Sequence, residues 1–486
     1  NSIDVDSVLS KLTTLLDSAI LHATLSKQAL ELGEGVLLVP EFDQDSNPVR
    51  IVVGSGTEET EYIAKTEIDA LVEALQALDI TSITAYDGNF DLTMLSEETV
   101  QDTVLASASI HLTISDLLLD LGDDVLIVPA YTPSGETLGN EVRVSVGSHE
   151  FVVKEEIKAL INAFDAMNFL DLNSFGASLD SAEFFTQREV LLASASIQAT
   201  LSDKLLNATA GALIVPDTNV NTGQDVRIVQ SDVTYVELNE IYAIMDALEA
   251  LNLTDFGVLD FDPSTVFSAD FATVLESASL QATVSENILA TASDENAGTS
   301  ILIVPTSFRE NITVAGVAQE QVEKAELNAL LDALSVLGVS TFDGDVSGSS
   351  ITSMTSAEID TMLLSASMHV TIGEMLSDAF GTSVPDLAKA TSYGIADVVI
   401  KQEVKDFIIA TTTFGGGNFT TVSFDLAGIL SLTPSEQDVI LNSMTVRNIL
   451  TPSLETTASF NGYTITNSDY MNDDPSTFLT KASAIA

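Results

Sequence analysis

Carboxylates grouped in short polar links are the first residues of this chain with the makings of a chemical site. Asp43 and Asp45 stand with Asn47 in "DQDSN", Asp87 and Asp91 in "DGNFD", Asp260 and Asp262 in "DFD", and Asp343 and Asp345 in "DGD". A hard cation such as calcium is held by several oxygens from loops of this kind, which makes these aspartates candidate metal ligands and calcium the candidate cofactor. The spacing does not follow the twelve-residue EF-hand. "DQDSNPVRIVVG" puts Pro48 where the sharp turn wants glycine and Gly54 where the bidentate glutamate belongs. Solvated links that keep an acidic chain soluble are the competing reading.

Histidine and serine recur in register. His22, His111 and His369 fall in one column of a repeat, and Gln198 and Gln281 stand there in two other copies. One imidazole per copy, replaceable by glutamine, does not gather the convergent ligands of a zinc site, so the column reads as a hydrogen-bonding structural position. Ser18, Ser107, Ser194, Ser277 and Ser365 recur beside it, with Ser443 in a degenerate copy. A nucleophilic serine needs a base, and neither a G-x-S-x-G elbow nor an S-x-x-K motif surrounds these; small-residue packing is expected instead. Arg50, Arg143 and Arg227 recur in a chain with only 17 basic residues, and should pair with a carboxylate of their own unit or of an acidic neighbour. No catalytic and no cofactor-binding residue is expected, and the chain does not read as an enzyme.

What must position these residues is a repeat. "LLASASIQATLSDKLL" at 191–206 returns as "VLASASIHLTISDLLL" at 104–119, "VLESASLQATVSENIL" at 274–289 and "LLSASMHVTIGEML" at 363–376. The aligned serines lie 78 to 89 residues apart, a period long enough for each unit to be a small domain. Within a unit, the small-residue helix is followed by an apolar run closing on proline, at Pro40, Pro129, Pro216 and Pro305, which reads as a buried strand. A variable polar loop leads to "VRIVV" at 49–53, "VRVSV" at 142–146 or "VRIV" at 226–229, and "GSHE" then "FVV" at 151–153 read as a hairpin return. An amphipathic helix closes the unit: Ile157, Leu160, Ile161, Phe164 and Met167 share one face, as do Ile68, Leu71, Val72, Leu75 and Leu78.

These patterns predict an α+β fold, a tandem array of about five modules of roughly 87 residues, each a helix, three short strands and an amphipathic helix. The modules are expected at 1–90, 91–178, 179–263 and 264–348, with a divergent fifth at 349–428 and a shortened repeat or cap at 429–486. "FGGGNF" at 414–419 reads as a turn, and "FNGYTI" as a hairpin around Asn461-Gly462. Small residues such as Ser107, Ala108 and Ser109 let another element approach closely, so the recurring helix is expected at the joint between modules.

Composition narrows the partners. With 72 acidic and 17 basic residues the net charge is −55, a field that repels nucleic-acid phosphates and anionic lipid headgroups. There is no cysteine, hence no disulfide and no thiolate site. The longest uncharged stretch, "FIIATTTFGGGNFTTVSF" at 407–424, is broken by glycines and does not read as a membrane span. No leader is recognisable at Asn1, so an exported protein would be represented here in a mature or excised form.

The "L-x-SASI-x-x-T-[IL]-S-[DK]" helix, the "LIVP" run and the "[KE]-x-E-I-x-A-L-x-x-A-L-x-x-L" helix resemble modules of very large tandem-repeat surface proteins of wall-less, Mollicutes-type bacteria. The resemblance covers the first four units well, the fifth in part and the last poorly. It implies an extracellular, cell-envelope or fibre-forming role and carries over no functional residue. The expected function is therefore a non-enzymatic extracellular structural protein, the subunit of a filament, sheath or surface layer, self-associating head to tail. The alternative is a surface adhesin or stalk, whose variable loops after the four prolines contact a host protein or glycan.

Overall fold

A computed structural model of the chain describes residues 18–33, 35–54, 59–80, 83, 86, 95, 97–123, 125–133, 140–167, 186–208, 213–253, 270–292, 302–339, 351, 353–381, 398–415 and 421–455. Helices alternate with short antiparallel strand pairs, an α+β arrangement. In chain order come α1 (Ala19–Leu32), β1 (Arg50–Val53), β2 (Thr60–Ile63) and α2 (Lys65–Ala77). Next are α3 (Glu98–Ala106), α4 (Ala108–Asp120), β3 (Arg143–Val146), β4 (His149–Val152) and α5 (Lys154–Ala166). The order repeats as α6 (Arg188–Leu191), α7 (Ala195–Leu206), β5 (Arg227–Gln230), β6 (Val233–Val236) and α8 (Leu238–Ala250). It repeats again as α9 (Phe271–Val274), α10 (Ala278–Thr291), β7 (Arg309–Val314), β8 (Val317–Val322) and α11 (Lys324–Val336). The remainder is helical: α12 (Ser356–Met362), α13 (Ala366–Phe380), α14 (Val398–Phe414), α15 (Leu426–Leu430), α16 (Pro434–Asn442) and α17 (Met444–Glu455). The chain divides into two compact units, one of Asn1–Val215 with Asp225–Leu259, the other of Pro216–Gln224 with Asp260–Ala486.

Each amphipathic helix buries the stripe that its sequence predicts. Ile157, Leu160, Ile161, Phe164 and Met167 of α5 are all buried, and so are Ile68, Leu71, Val72 and Leu75 of α2 with Leu78 just beyond it. Each hairpin pairs in antiparallel register, Arg143 opposite Val152 and Val146 opposite His149 in the β3–β4 pair. The inner strand delivers Phe151 and Val152 to the core. Two hairpins turn through residues with left-handed backbone, Ser231-Asp232 and Ala315-Gly316, as the right-handed twist of a two-residue hairpin demands.

Two expectations are corrected. The apolar runs are buried at Leu37, Leu126, Val128, Leu213, Val215, Ile303 and Val304, but apart from a single bridge at Ile303 they add no third strand, every described sheet having only two. Side chains take up their backbone groups instead. The N–H groups of Leu38, Ile127 and Ile303 donate to the hydroxyls of Thr113, Thr200 and Thr371 at 3.0, 2.9 and 2.9 Å. The Nε of Arg227 and of Arg309 donates to the carbonyls of Val215 and Val304. A chain whose polar groups are met this way needs no ladder.

The second correction concerns the small-residue helix, which is not one helix. α3 and α4 meet at a 104° bend, and Ser107 is the corner, with the extended backbone of an N-cap (φ −75°, ψ 119°). Ser194, Ser277 and Ser365 hold the same conformation. Their side chains accept from the N–H three residues on, the ordinary N-cap bond.

Candidate functional site

Among the described residues the most densely bonded site is a buried carboxylate set between two helix N-termini. Glu67 stands in the first turn of α2 and reaches the start of α4. Its Oε1 accepts from Ser107 Oγ at 2.8 Å, from the Ser109 N–H at 2.9 Å and from Ser109 Oγ at 2.6 Å, while Oε2 accepts from the Ala108 N–H at 2.9 Å. Glu156 does the same for Ser194, Ala195 and Ser196. Glu326 serves Ser365, Ala366 and Ser367, and Glu403 serves Ser443, Met444 and Thr445. In all four the glutamate precedes its serine by 38 to 40 residues.

The physics favours a charged clamp. The first N–H groups of a helix have no partner within it, and both helix dipoles present their positive ends to the same carboxylate. Ser107, Ser194, Ser365 and Ser443 are fully buried, and the four glutamates are nearly so. A buried carboxylate is tolerable only when its oxygens are filled, and charge-assisted bonds to N–H and O–H fill them. At Glu403 burial pushes the carboxyl above its ordinary range, against the pull of its bonds from Thr445, Met444 and Ser443.

α4 is held on a second side by its own hairpin. His111 Nε2 lies 2.7 Å from the carbonyl of Val152, and Ser115 Oγ accepts the Val152 N–H at 3.0 Å. His22 and Ser26 treat Ile63 alike. Burial lowers the His111 imidazole to about 4, opposed by its bond to Val152, so the ring is neutral at pH 7. In the third copy Gln198 turns to the carbonyl of Leu192 instead, while Gln281 reaches toward Val322 at 3.4 Å. Of the recurring arginines, Arg50 faces Glu61 and Arg143 faces Glu150 across their own hairpins, while Arg227 gives its Nε to the Val215 carbonyl; Arg309, at the same place in the next copy, faces Glu320.

Of the aspartates singled out from sequence, Asp43 and Asp45 lie in described structure; Asp87, Asp91, Asp260, Asp262, Asp343 and Asp345 lie outside the described residues, as does the Asn461-Gly462 turn. Asp43 closes its own loop, its oxygens accepting from the N–H groups of Asp45 and Asn47 and from Asn47 Nδ2. Asp45 is exposed. Among the described residues no three His, Cys, Asp or Glu side chains are gathered to hold a metal ion, and no single helix is long and apolar enough to cross a membrane. The comparisons with protein families, curated proteins and solved structures found no match.

Sequence reasoning missed the glutamates. The Glu of "[KE]-x-E-I" was in view as part of a helix start, where an acid is unremarked. The signal that could have found it is the pairing of that Glu, in each copy, with a serine some 40 residues on.

Proposed function

We propose that this chain is a non-enzymatic structural protein of the cell exterior, a tandem array of about five α+β modules with a shortened last repeat, assembling head to tail into a filament, sheath or surface layer. The observation that carries this reading is the carboxylate clamp, which recurs with equivalent atoms at Glu67, Glu156, Glu326 and Glu403. Its hydroxyls are inaccessible to any substrate and its bonds are spent on joining one stretch of chain to the next. The threonine links between apolar run and following helix repeat with it.

An exposed apolar side chain at the start of α1 supports self-association. Ser18 makes no capping bond through its side chain, and Ile20 is 79% exposed, where the equivalent Ser109, Ser196, Ser279 and Ser367 are fully buried. A second copy seated on this apolar side chain would bury it. The segment after Pro216 suits the adhesin alternative less well. Asp217, next to Pro216, bonds the Thr313 carbonyl through its N–H at 2.7 Å, and its carboxylate takes the N–H groups of Ala315 and Gly316.

Sedimentation and negative-stain electron microscopy of the purified protein, in calcium and in chelator, test the proposal. Regular fibres or concentration-dependent oligomers that Ile20→Asp abolishes are expected. A protein that stays monomeric at high concentration under both conditions overturns the reading, and loss of fibres in chelator alone assigns calcium to the acidic links.

A further inference from the structure

Three equivalent places, where the segment after a proline approaches the turn of a following hairpin, differ in how they are closed. After Pro40 the ring of Phe42 lies against Gly147, its Cδ2 3.9 Å from where a Cβ would stand. After Pro216 the Asp217 carboxylate closes the gap with two hydrogen bonds. After Pro129 the gap stays open. A cleft of about 500 Å³ lies there, with Tyr131, Arg143, Gln230 and Tyr235 in its wall and Asp123 and Asp203 beside them.

Two polar atoms of this wall are buried without a partner, Arg143 Nε and Gln230 Oε1. One is a donor and the other an acceptor, and a buried polar group left unmet is destabilising. In the sibling copies Arg227 and Arg309 spend their Nε on the carbonyl of their own apolar run, while Arg50 Nε is unmet as Arg143 Nε is, so it is Gln230 Oε1 that sets this place apart. Tyr235 is held neutral above its usual range by burial, with the charge of Arg143 pulling the other way.

We propose that this cleft binds a neutral saccharide unit. A sugar hydroxyl both donates and accepts, so a saccharide can serve the arginine donor and the glutamine acceptor of this wall, while its C–H face lies on a tyrosine. The volume falls in the range of small-molecule sites. An anion is disfavoured, because two aspartates outnumber the one arginine, which already faces Glu150 at 3.5 Å, in a chain of net charge −55. The inference stands apart from the assembly reading and goes beyond it.

Saturation-transfer NMR and calorimetry on the full chain test it, with the methyl glycosides of glucose, galactose, mannose and N-acetylglucosamine as probes and sodium sulfate and sodium acetate as anion controls. At least one glycoside is expected to saturate. Tyr131→Ala, in the loop, and Gln230→Leu should each weaken it by about fivefold or more, with unchanged thermal midpoint and sedimentation. The proposal is overturned if no glycoside saturates, if binding survives both variants, or if sulfate or acetate displaces the sugar. Fibre loss in Ile20→Asp with glycoside binding intact separates this site from the assembly contact.

Discussion

The stretch from α4 to α5 and the stretch from α14 to α17 solve the same problem with different parts. In the first, a hairpin lies between the joint helix and the glutamate helix and puts Phe151 and Val152 into the core. In the second, the described residues hold no strand pair. Phe407 instead packs edge-on to Phe380 and Phe424, with ring centroids 5.3 and 5.9 Å apart, and Phe414 lies 5.1 Å from Phe424. The clamp is nevertheless the same, Glu403 on Ser443 as Glu156 on Ser194. The comparison teaches that the joint is independent of the sheet, which serves as one of two ways to fill the space beneath it.

The strongest way to break that conclusion is to remove the carboxylates. Glu156→Ala and Glu403→Ala each leave a buried hydroxyl and two N–H groups unmet and should cost about 3–5 kcal/mol, measured by chemical denaturation. Equal losses uphold the independence of joint and sheet; a loss confined to Glu156 would make the clamp a property of the hairpin stretches. Glu403→Gln should cost less than Glu403→Ala, since the amide keeps one acceptor oxygen for the N–H and O–H groups it faces while its NH2 leaves the other oxygen's partner unmet.

Acid sharpens the contrast because the two regions respond in opposite senses. The His111 pKa falls from 6.5 to about 4 on folding, so between those values the unfolded chain binds more protons. Its contribution is present above pH 6.5 and is lost as pH falls through 4, on the order of 3 kcal/mol. His111→Gln should flatten that limb. The folded Glu403 pKa is raised from 4.5, so its contribution is present below pH 4.5 and is lost as pH rises through the folded value. Hydrogen exchange from pH 4 to 7 should show protection rising around Val152 and declining around Thr445, and parallel profiles would contradict the assignment.

Much of this was legible in the residues. The apolar stripe of each second helix is buried residue for residue, and "VRVSVGSHEFVV" folds as the hairpin its alternation predicts. The clamp was not legible, because a first-turn glutamate is common on exposed helices and its partner is distant in sequence. The 104° corner was hidden for a related reason: an uninterrupted run of helix-compatible residues conceals an N-cap serine whose capping acid is not the local one. The third strand was over-read, since buried apolar runs do not reveal whether a ladder or side-chain hydroxyls meet their backbone.

Smaller changes refine the picture. Thr371→Val strands the buried Ile303 N–H, whose acceptor sits 2.9 Å away, and should cost about 1–3 kcal/mol in the same denaturation assay. Ala315→Gly relieves a left-handed backbone of φ +49° and should stabilise the second compact unit by about 1 kcal/mol, read as a higher melting temperature.

The direction of the clamp has a consequence for synthesis. Each glutamate leaves the ribosome before the serine it will cap, by 38 to 40 residues. At about 5–20 residues per second the acid therefore waits about 2–8 s for its partner, exposed on a half-finished surface. Each stretch of this protein is completed by its successor, so maturation follows the growing chain in one direction, and a stall in translation leaves a single unquenched carboxylate at the front.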